Sequence, residues 1–135
     1  MLRSEILARF DRLGILPTPQ RLEIAAILLE KAQHLSVEQV VNRLRAKGST
    51  VSKATVYNSL NLFGKKGLIR ECLVDPERRF YDSTTSPHHH FFNLDTGELS
   101  DIASDRIEVS GLPDLPKGTQ LESAELIIRV RNRAE

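Results

Sequence analysis

Apolar residues along the first half of the chain recur at intervals of three and four. Leu2, Ile6, Phe10 and Leu13 fall on one stripe, and Gly14 is placed to end that helix in a left-handed cap. Thr18 followed by Pro19 reads as an N-cap and a first-turn proline. Residues 21–31 then carry Leu22, Ala25, Ala26 and Leu29 on one face. Ser36-Val37-Glu38-Gln39 is a capping box, and Val37, Val40, Val41 and Leu44 follow at i, i+3, i+4 and i+7. Gly48 and Ser49 interrupt the pattern. Ser52 starts a fourth helix with Val56, Leu60 and Phe63 inward, and Gly67 stops it. Leu68-Ile69-Arg70-Glu71-Cys72-Leu73-Val74 and Arg79-Phe80-Tyr81 then predict two strands joined by the turn Asp75-Pro76-Glu77-Arg78.

Helix, short turn, helix and a two-stranded hairpin outline a winged helix-turn-helix domain. The second helix of the pair, beginning near Ser52, is the one such domains lay in the major groove. Its outward residues are expected to be Lys53, Thr55, Tyr57, Asn58 and Asn61, side chains able to touch phosphates, thymine methyls and adenine edges. Lys65, Lys66, Arg70, Arg78 and Arg79 suit backbone phosphates. A small helical domain whose basic residues serve only solubility has the same pattern. Further on, residues 91–93 and 98–102 predict a hairpin around Leu94-Asp95-Thr96-Gly97. Near the end, Ala124, Leu126, Ile128 and Val130 alternate with Glu125, Ile127, Arg129 and Arg131, as in a strand packed on one face. Ile127, among the charged positions, suits contact with a partner subunit or a scattered surface site.

Charge adds information once the chain is divided. All 135 residues together carry a formal charge of +1, but residues 1–81 hold 14 Lys and Arg against 8 Asp and Glu, and residues 82–135 hold 5 against 10. A basic first part suits a polyanion, and an acidic second part suits cations. No apolar run approaches the ~20 residues that span a bilayer, so no membrane is expected and the cytoplasm is the expected location. The single cysteine, Cys72, excludes an internal disulfide and any clamp of several thiolates. Its expected role is that of a small buried hydrophobe.

Candidate chemistry gathers in the second part, at His88, His89 and His90. In an extended strand His88 and His90 point one way and His89 the other. Asp82 upstream and Asp101 downstream can converge with the two imidazoles on a cation. Nitrogen and oxygen donors without thiolate suit Fe(II), Mn(II) or Zn(II) better than Cu(I). A solvated polar loop, or a tag remnant, is the plainer reading of a histidine run. The mid-chain position, bracketed by strand-like sequence, argues against a tag.

Thr18-Pro19-Gln20-Arg21-Leu22, Ala54-Thr55-Val56-Tyr57-Asn58-Ser59-Leu60 and residues 82–90 together resemble the ferric uptake regulator (Fur) family over nearly the whole chain. That resemblance implies a homodimeric repressor of α+β fold: an N-terminal winged helix-turn-helix over residues 1–81, then a small α/β dimerisation domain over residues 82–135 that also binds metal. It implies double-stranded DNA as partner, specifically an AT-rich inverted repeat, with Arg21 joining Lys53, Thr55, Tyr57, Asn58, Asn61 and Arg78 at the DNA. It also implies one regulatory site made of His34, Asp82, His88, His90 and Asp101, with one ligand from the basic half and four from the acidic half. Metal binding there would fix the angle between the halves.

Departures from the family pattern matter as much. Many members hold a structural zinc in two Cys-x-x-Cys pairs, but here Asn93 and Thr96 occupy the first pair's positions and the C-terminus has no cysteine. A structural zinc in an all-cysteine cage is therefore excluded. Asn58 stands where arginine is common in the family, so the resemblance does not fix the operator sequence. A second family metal site would use His89 and Glu108, but Ala124 and Glu125 stand in the region of its C-terminal histidine, so it is expected to be weak or empty. The cysteine-poor branch containing the iron response regulator (Irr) and some peroxide regulators (PerR) is most similar. The tail from Leu112-Pro113-Asp114-Leu115-Pro116-Lys117-Gly118 onward resembles the Irr tail in particular.

Three signals stay open at this point: reversible Fe(II) or Mn(II) binding, peroxide oxidation of His34 or His90, and haem on the histidine run. Zn(II) is expected to compete in purified protein. Two other classes use the same cluster. A metallohydrolase would need an open coordination position and a base such as Glu98 or Glu108, and no His-Glu-x-x-His helix is present. A metal or haem store would use the winged helix only as an interaction module.

Overall fold

A computed structural model describes residues 1–134 of the chain. It divides into two compact units, Met1–Thr85 and the residues from Ser86 onward. In the first, α1 (Arg3–Leu13) ends where Gly14 takes φ +72°, the left-handed cap its position suggested. Helix α2 (Pro19–Leu28) begins at Thr18, whose side chain accepts from the Arg21 N–H at 3.2 Å. It stops at Leu28, short of the expected Lys31, because Gln33 Nε2 donates to the carbonyls of Ile27 and Leu28 at 2.8 and 3.1 Å. Helix α3 (Val37–Ala46) has both halves of the Ser36–Gln39 capping box, and Ser52 caps α4 (Lys53–Lys66).

Strand order in the first sheet is β1-β3-β2. Strands β2 (Arg70–Asp75) and β3 (Arg78–Asp82) form the hairpin, with Pro76 and Glu77 as its turn. The first strand of the pair begins at Arg70, not Leu68, because Leu68 and Ile69 are buried in the helical core. Strand β1 (His34–Leu35) was not expected; it pairs antiparallel with β3, His34 opposite Asp82 and Leu35 opposite Tyr81. Ile6, Phe10, Ile24, Leu28, Leu35, Val40, Leu44, Val56, Leu60, Phe63 and Tyr81 make one core across these elements. Burying each such aliphatic or Phe side chain contributes about 1.5–3 kcal/mol before the entropy of ordering is counted. The Phe10 and Phe63 rings, 5.5 Å apart, tie α1 to α4. The first unit closes after Thr85, not after Tyr81 where the charge balance changes. Asp82 completes β3, and Ser83 exchanges hydrogen bonds with Gln33.

The second unit is a sheet ordered β5-β4-β6, from β4 (His89–Asn93), β5 (Leu99–Ile102) and β6 (Ile127–Val130). Strand β4 runs antiparallel to β5 and parallel to β6. Asn93 builds the β4–β5 turn: its Oδ1 accepts from the N–H groups of Asp95 and Thr96 at 2.8 and 3.1 Å, and Gly97 takes φ +74°. The helical part among its described residues is one 3-10 turn, Ser104–Arg106. Gly111, Pro113, Pro116 and Gly118 keep the following segment from continuing a helix. The tail strand starts later than its alternation suggested. Leu126, expected on the packed face, is 43% exposed, whereas Ile127 is half-buried opposite His90. Leu126 precedes the first ladder pair, so no neighbouring strand covers its side chain.

Candidate metal centre and nucleic-acid interface

Each unit carries some of the expected metal ligands. In the first, the pairing of β1 with β3 sets His34 beside Asp82, with His34 Nε2 at 3.7 Å from Asp82 Oδ2. Asp82 is 1% exposed, and its Oδ1 accepts from the Thr84 N–H at 2.8 Å. A carboxylate this buried needs hydrogen bonds or a cation to offset lost hydration. The ligand set expected as one and four residues is therefore two and three, since Asp82 belongs to the winged-helix sheet.

In the second unit His88, His89 and His90 are 8%, 6% and 5% exposed. His90 and Asp101 are directly opposite across β4 and β5. His88 Nε2 and His90 Nε2 lie 3.1 and 3.3 Å from the same oxygen, Asp101 Oδ1. His88 Nδ1 is 2.8 Å from the Ser86 carbonyl. A carbonyl only accepts, so Nδ1 donates there, and Nε2 is the ring nitrogen that faces Asp101. An outer hydrogen bond of this kind orients the ring of a metal-ligating histidine. A lone pair facing a carboxylate oxygen at 3.1 Å is repulsive unless a cation or a proton lies between them. The donor set fits a divalent ion.

His89 turns to the other face, where its Nδ1 accepts from the Leu126 N–H at 2.9 Å. That nitrogen is engaged in the protein's own backbone, and Glu108 lies exposed after the 3-10 turn. His88 and His90 thus face Asp101 and His89 faces away, the alternation expected from sequence, although His88 lies just before the strand itself.

On α4, Lys53, Tyr57 and Asn58 are exposed, Tyr57 by 44%. Lys53 Nζ is 3.0 Å from Glu38 Oε1, and this bond holds the Glu38 carboxyl below its ordinary range. Thr55 and Asn61 are turned partly inward. Thr55 Oγ1 accepts from the Ser52 hydroxyl at 2.9 Å, and Asn61 Oδ1 accepts from the Tyr81 hydroxyl at 3.3 Å. Asn61, and then Arg79, hydrogen-bond the Tyr57 phenol and hold it below the usual range. Arg79 in turn is 3.0 Å from Glu71, so the recognition helix and the wing meet at one polar cluster. Arg21 donates to the Leu16 carbonyl at 3.0 Å, and with Thr18, Gln20, Thr55 and Asn58 it lines a shallow groove of about 360 Å³. Arg78 is exposed in the wing, 3.5 Å from Asp75. Sequence reasoning missed Gln33 and Ser83, which flank His34 and Asp82. Their only sequence signal is adjacency to those two residues.

Comparison with known proteins agrees with this architecture. The description "Ferric uptake regulator family" matches residues 12–129. The peroxide operon regulator of Bacillus subtilis is 31% identical over 99 residues, spanning 73% of this chain and 68% of that protein. The ferric uptake regulator from Pseudomonas aeruginosa, solved with manganese, superposes with a TM-score of 0.74 at 26% identity, covering 99% of this chain and 100% of that one. The ferric uptake regulator from Francisella tularensis, solved with iron, gives a TM-score of 0.72 at 26% identity over 89% of this chain and 93% of that one. Such proteins are metal-responsive transcription regulators, not enzymes, and this sets the metallohydrolase reading aside. The match over most of the length, the winged helix and the donor sets together establish that this chain belongs to the ferric uptake regulator family.

Proposed function

We propose that this protein is a metal-gated repressor that binds an AT-rich inverted repeat as a homodimer, with His34, Asp82, His88, His90 and Asp101 holding one divalent cation. The observation that carries the reading is the convergence of His88 Nε2 and His90 Nε2 on Asp101 Oδ1, with the His88 ring oriented through Nδ1 by the Ser86 carbonyl. Its companion is the buried His34–Asp82 pair of the other unit. An ion that takes donors from both units restricts the angle between them. Only a restricted dimer can present two recognition helices at fixed half-site spacing. Bound metal supplies the positive charge that the five donors share, and the chain's own residues do the DNA reading. Iron and manganese, the metals of the two solved relatives, are the proposed cellular ions, and Zn(II) competes in purified protein.

A second copy is the proposed cover for the apolar residues of the second unit, since Phe91, Leu112, Leu115 and Leu121 are exposed. Haem on the histidine run is less well supported, because His88 and His90 already converge on Asp101 and His89 is bonded to the Leu126 N–H. Peroxide sensing is the second reading, favoured by the likeness to the peroxide operon regulator. Gain of one oxygen atom on His34 or His90 in iron-loaded protein after brief peroxide exposure supports it, and unmodified histidines count against it.

The main test is operator binding by the full chain, with Mn(II) and with a chelator. Affinity is expected to rise with Mn(II) in the wild type and to stay flat in His90→Ala; a wild type indifferent to the chelator refutes the gate. Tyr57→Ala should lower operator affinity by about 1–3 kcal/mol with a smaller effect on random duplex. Equal loss on both sequences removes Tyr57 from base reading.

A further inference from the structure

We infer that Gln33 is the positioning residue that passes the state of the His34–Asp82 pair to the DNA-binding helices, an inference that rests on the reading of His34 as a ligand. The half-buried Gln33 amide reaches two helices at once. Its Nε2 donates to the Ile27 and Leu28 carbonyls at 2.8 and 3.1 Å, at the end of α2 where helical carbonyls have no later turn to bind. Its Oε1 accepts from Arg43 Nη1, on α3, at 2.6 Å. Carbonyls only accept and guanidinium only donates, so the network fixes which way the amide points.

The Gln33 backbone is tied to the far side of the donor pair. Its N–H donates to Ser83 Oγ at 3.1 Å, and its carbonyl accepts from the Ser83 N–H at 3.1 Å. Ser83 Oγ also donates to the Lys31 carbonyl at 3.0 Å. Gln33 precedes His34 and Ser83 follows Asp82, so the two bracket the donor pair. A shift of His34 against Asp82 therefore strains the Gln33–Ser83 exchange. The Gln33 amide carries that strain to the end of α2 and to α3, the helix that precedes the recognition helix. A plain helix cap needs only the two Nε2 bonds, and the Arg43 bond lies outside that role.

The readout is the ratio of operator Kd with chelator to operator Kd with Mn(II), measured on the full chain. Gln33→Leu is expected to lower this ratio by about 2- to 30-fold, the range in which residues remote from both ligands modulate coupling. Metal-free operator binding and the Mn(II) affinity of DNA-free protein should stay near wild type. Gln33→Glu keeps the Arg43 acceptor but loses the donation to α2, and should fall in between. Equal loss of metal-free and metal-bound DNA binding in Gln33→Leu means a purely structural role and overturns the inference. An unchanged ratio in Gln33→Leu, with His34→Ala uncoupled, overturns the inference and leaves His34 as a ligand. If His34→Ala keeps both its ratio and its Mn(II) affinity, the ligand reading fails first and this inference with it. Should Gln33→Leu not fold, Arg43→Ala cuts the α3 link and spares the α2 bonds; an unchanged ratio there refutes the transmission.

Discussion

His88, His89 and His90 are nearly equal in burial, yet the alternation of side chains along the extended chain entering β4 separates their tasks. Two face Asp101, and the third holds the Leu126 backbone. Removing an outer-sphere group from a metal site typically costs about 10–100-fold in affinity, and a direct ligand should cost at least that. His88→Ala and His90→Ala are therefore expected to lower Mn(II) affinity by about tenfold or more in calorimetric titration. His89→Ala should leave that affinity close to wild type and lower stability by about 1–3 kcal/mol, the cost of stranding the Leu126 N–H. Three substitutions with the same effect would refute the division of labour. The histidine alternation was legible because strand period acts residue by residue. The placement of His34 opposite Asp82 was not, since a two-residue strand has no period to detect and its partner lies far along the chain. Gln33 was equally silent, because a lone polar residue before a histidine does not reveal the helix ends it reaches.

The elements whose ends the sequence marked are those stopped by local chemistry. Thr18, Ser36, Ser52 and Gly67 each act within one turn, and each stands where the pattern placed it. The starts of β2 and β6 depend on packing and pairing with residues distant in sequence, and α2 ends where a side chain beyond the helix, Gln33, takes its last carbonyls; these boundaries moved. The β4–β5 turn shows how such a distant tie can replace a cysteine clamp. Asn93 Nδ2 donates to Asn132 Oδ1 at 2.9 Å, Asp95 Oδ2 accepts from the Asn132 N–H at 2.8 Å, and Arg131 lies 3.5 Å from Asp95. The Leu94 N–H donates to the Val130 carbonyl at 2.9 Å, so turn and tail strand are bonded along one edge. Asn93→Ala removes the turn's internal acceptor and the bond to Asn132 together. It is expected to cost about 1–3 kcal/mol, read as a lower thermal midpoint. The gap to wild type should be the same with and without chelator, because no metal takes part in the tie. A gap that closes on chelation would show that the turn depends on metal. Gly97→Ala, forced to hold φ +74°, should cost about 1–2 kcal/mol by the same measurement.

For the whole molecule, the charge balance and the compact units divide the chain at nearby but different places, for separate reasons. Charge marks which surface meets a polyanion, whereas compactness follows the β1–β3 ladder and its Ser83 tie. The basic unit must meet DNA mainly through phosphates, and counterion release makes such binding fall steeply with salt, by about 0.9 in the log–log slope per phosphate neutralised. Arg78 offers a clean probe of that slope. It is exposed in the wing and outside the Tyr57–Asn61 cluster, so its loss should spare base reading. The proposed homodimer on an inverted repeat would engage two copies of it. Arg78→Ala should then flatten the salt slope by about two with Mn(II) present, and lower operator and random-duplex affinity alike. Flattening by about one means that a single copy is engaged, which contradicts the proposed dimer on two half-sites. No change removes Arg78 from the phosphate contacts, and loss confined to the operator assigns it to sequence reading instead.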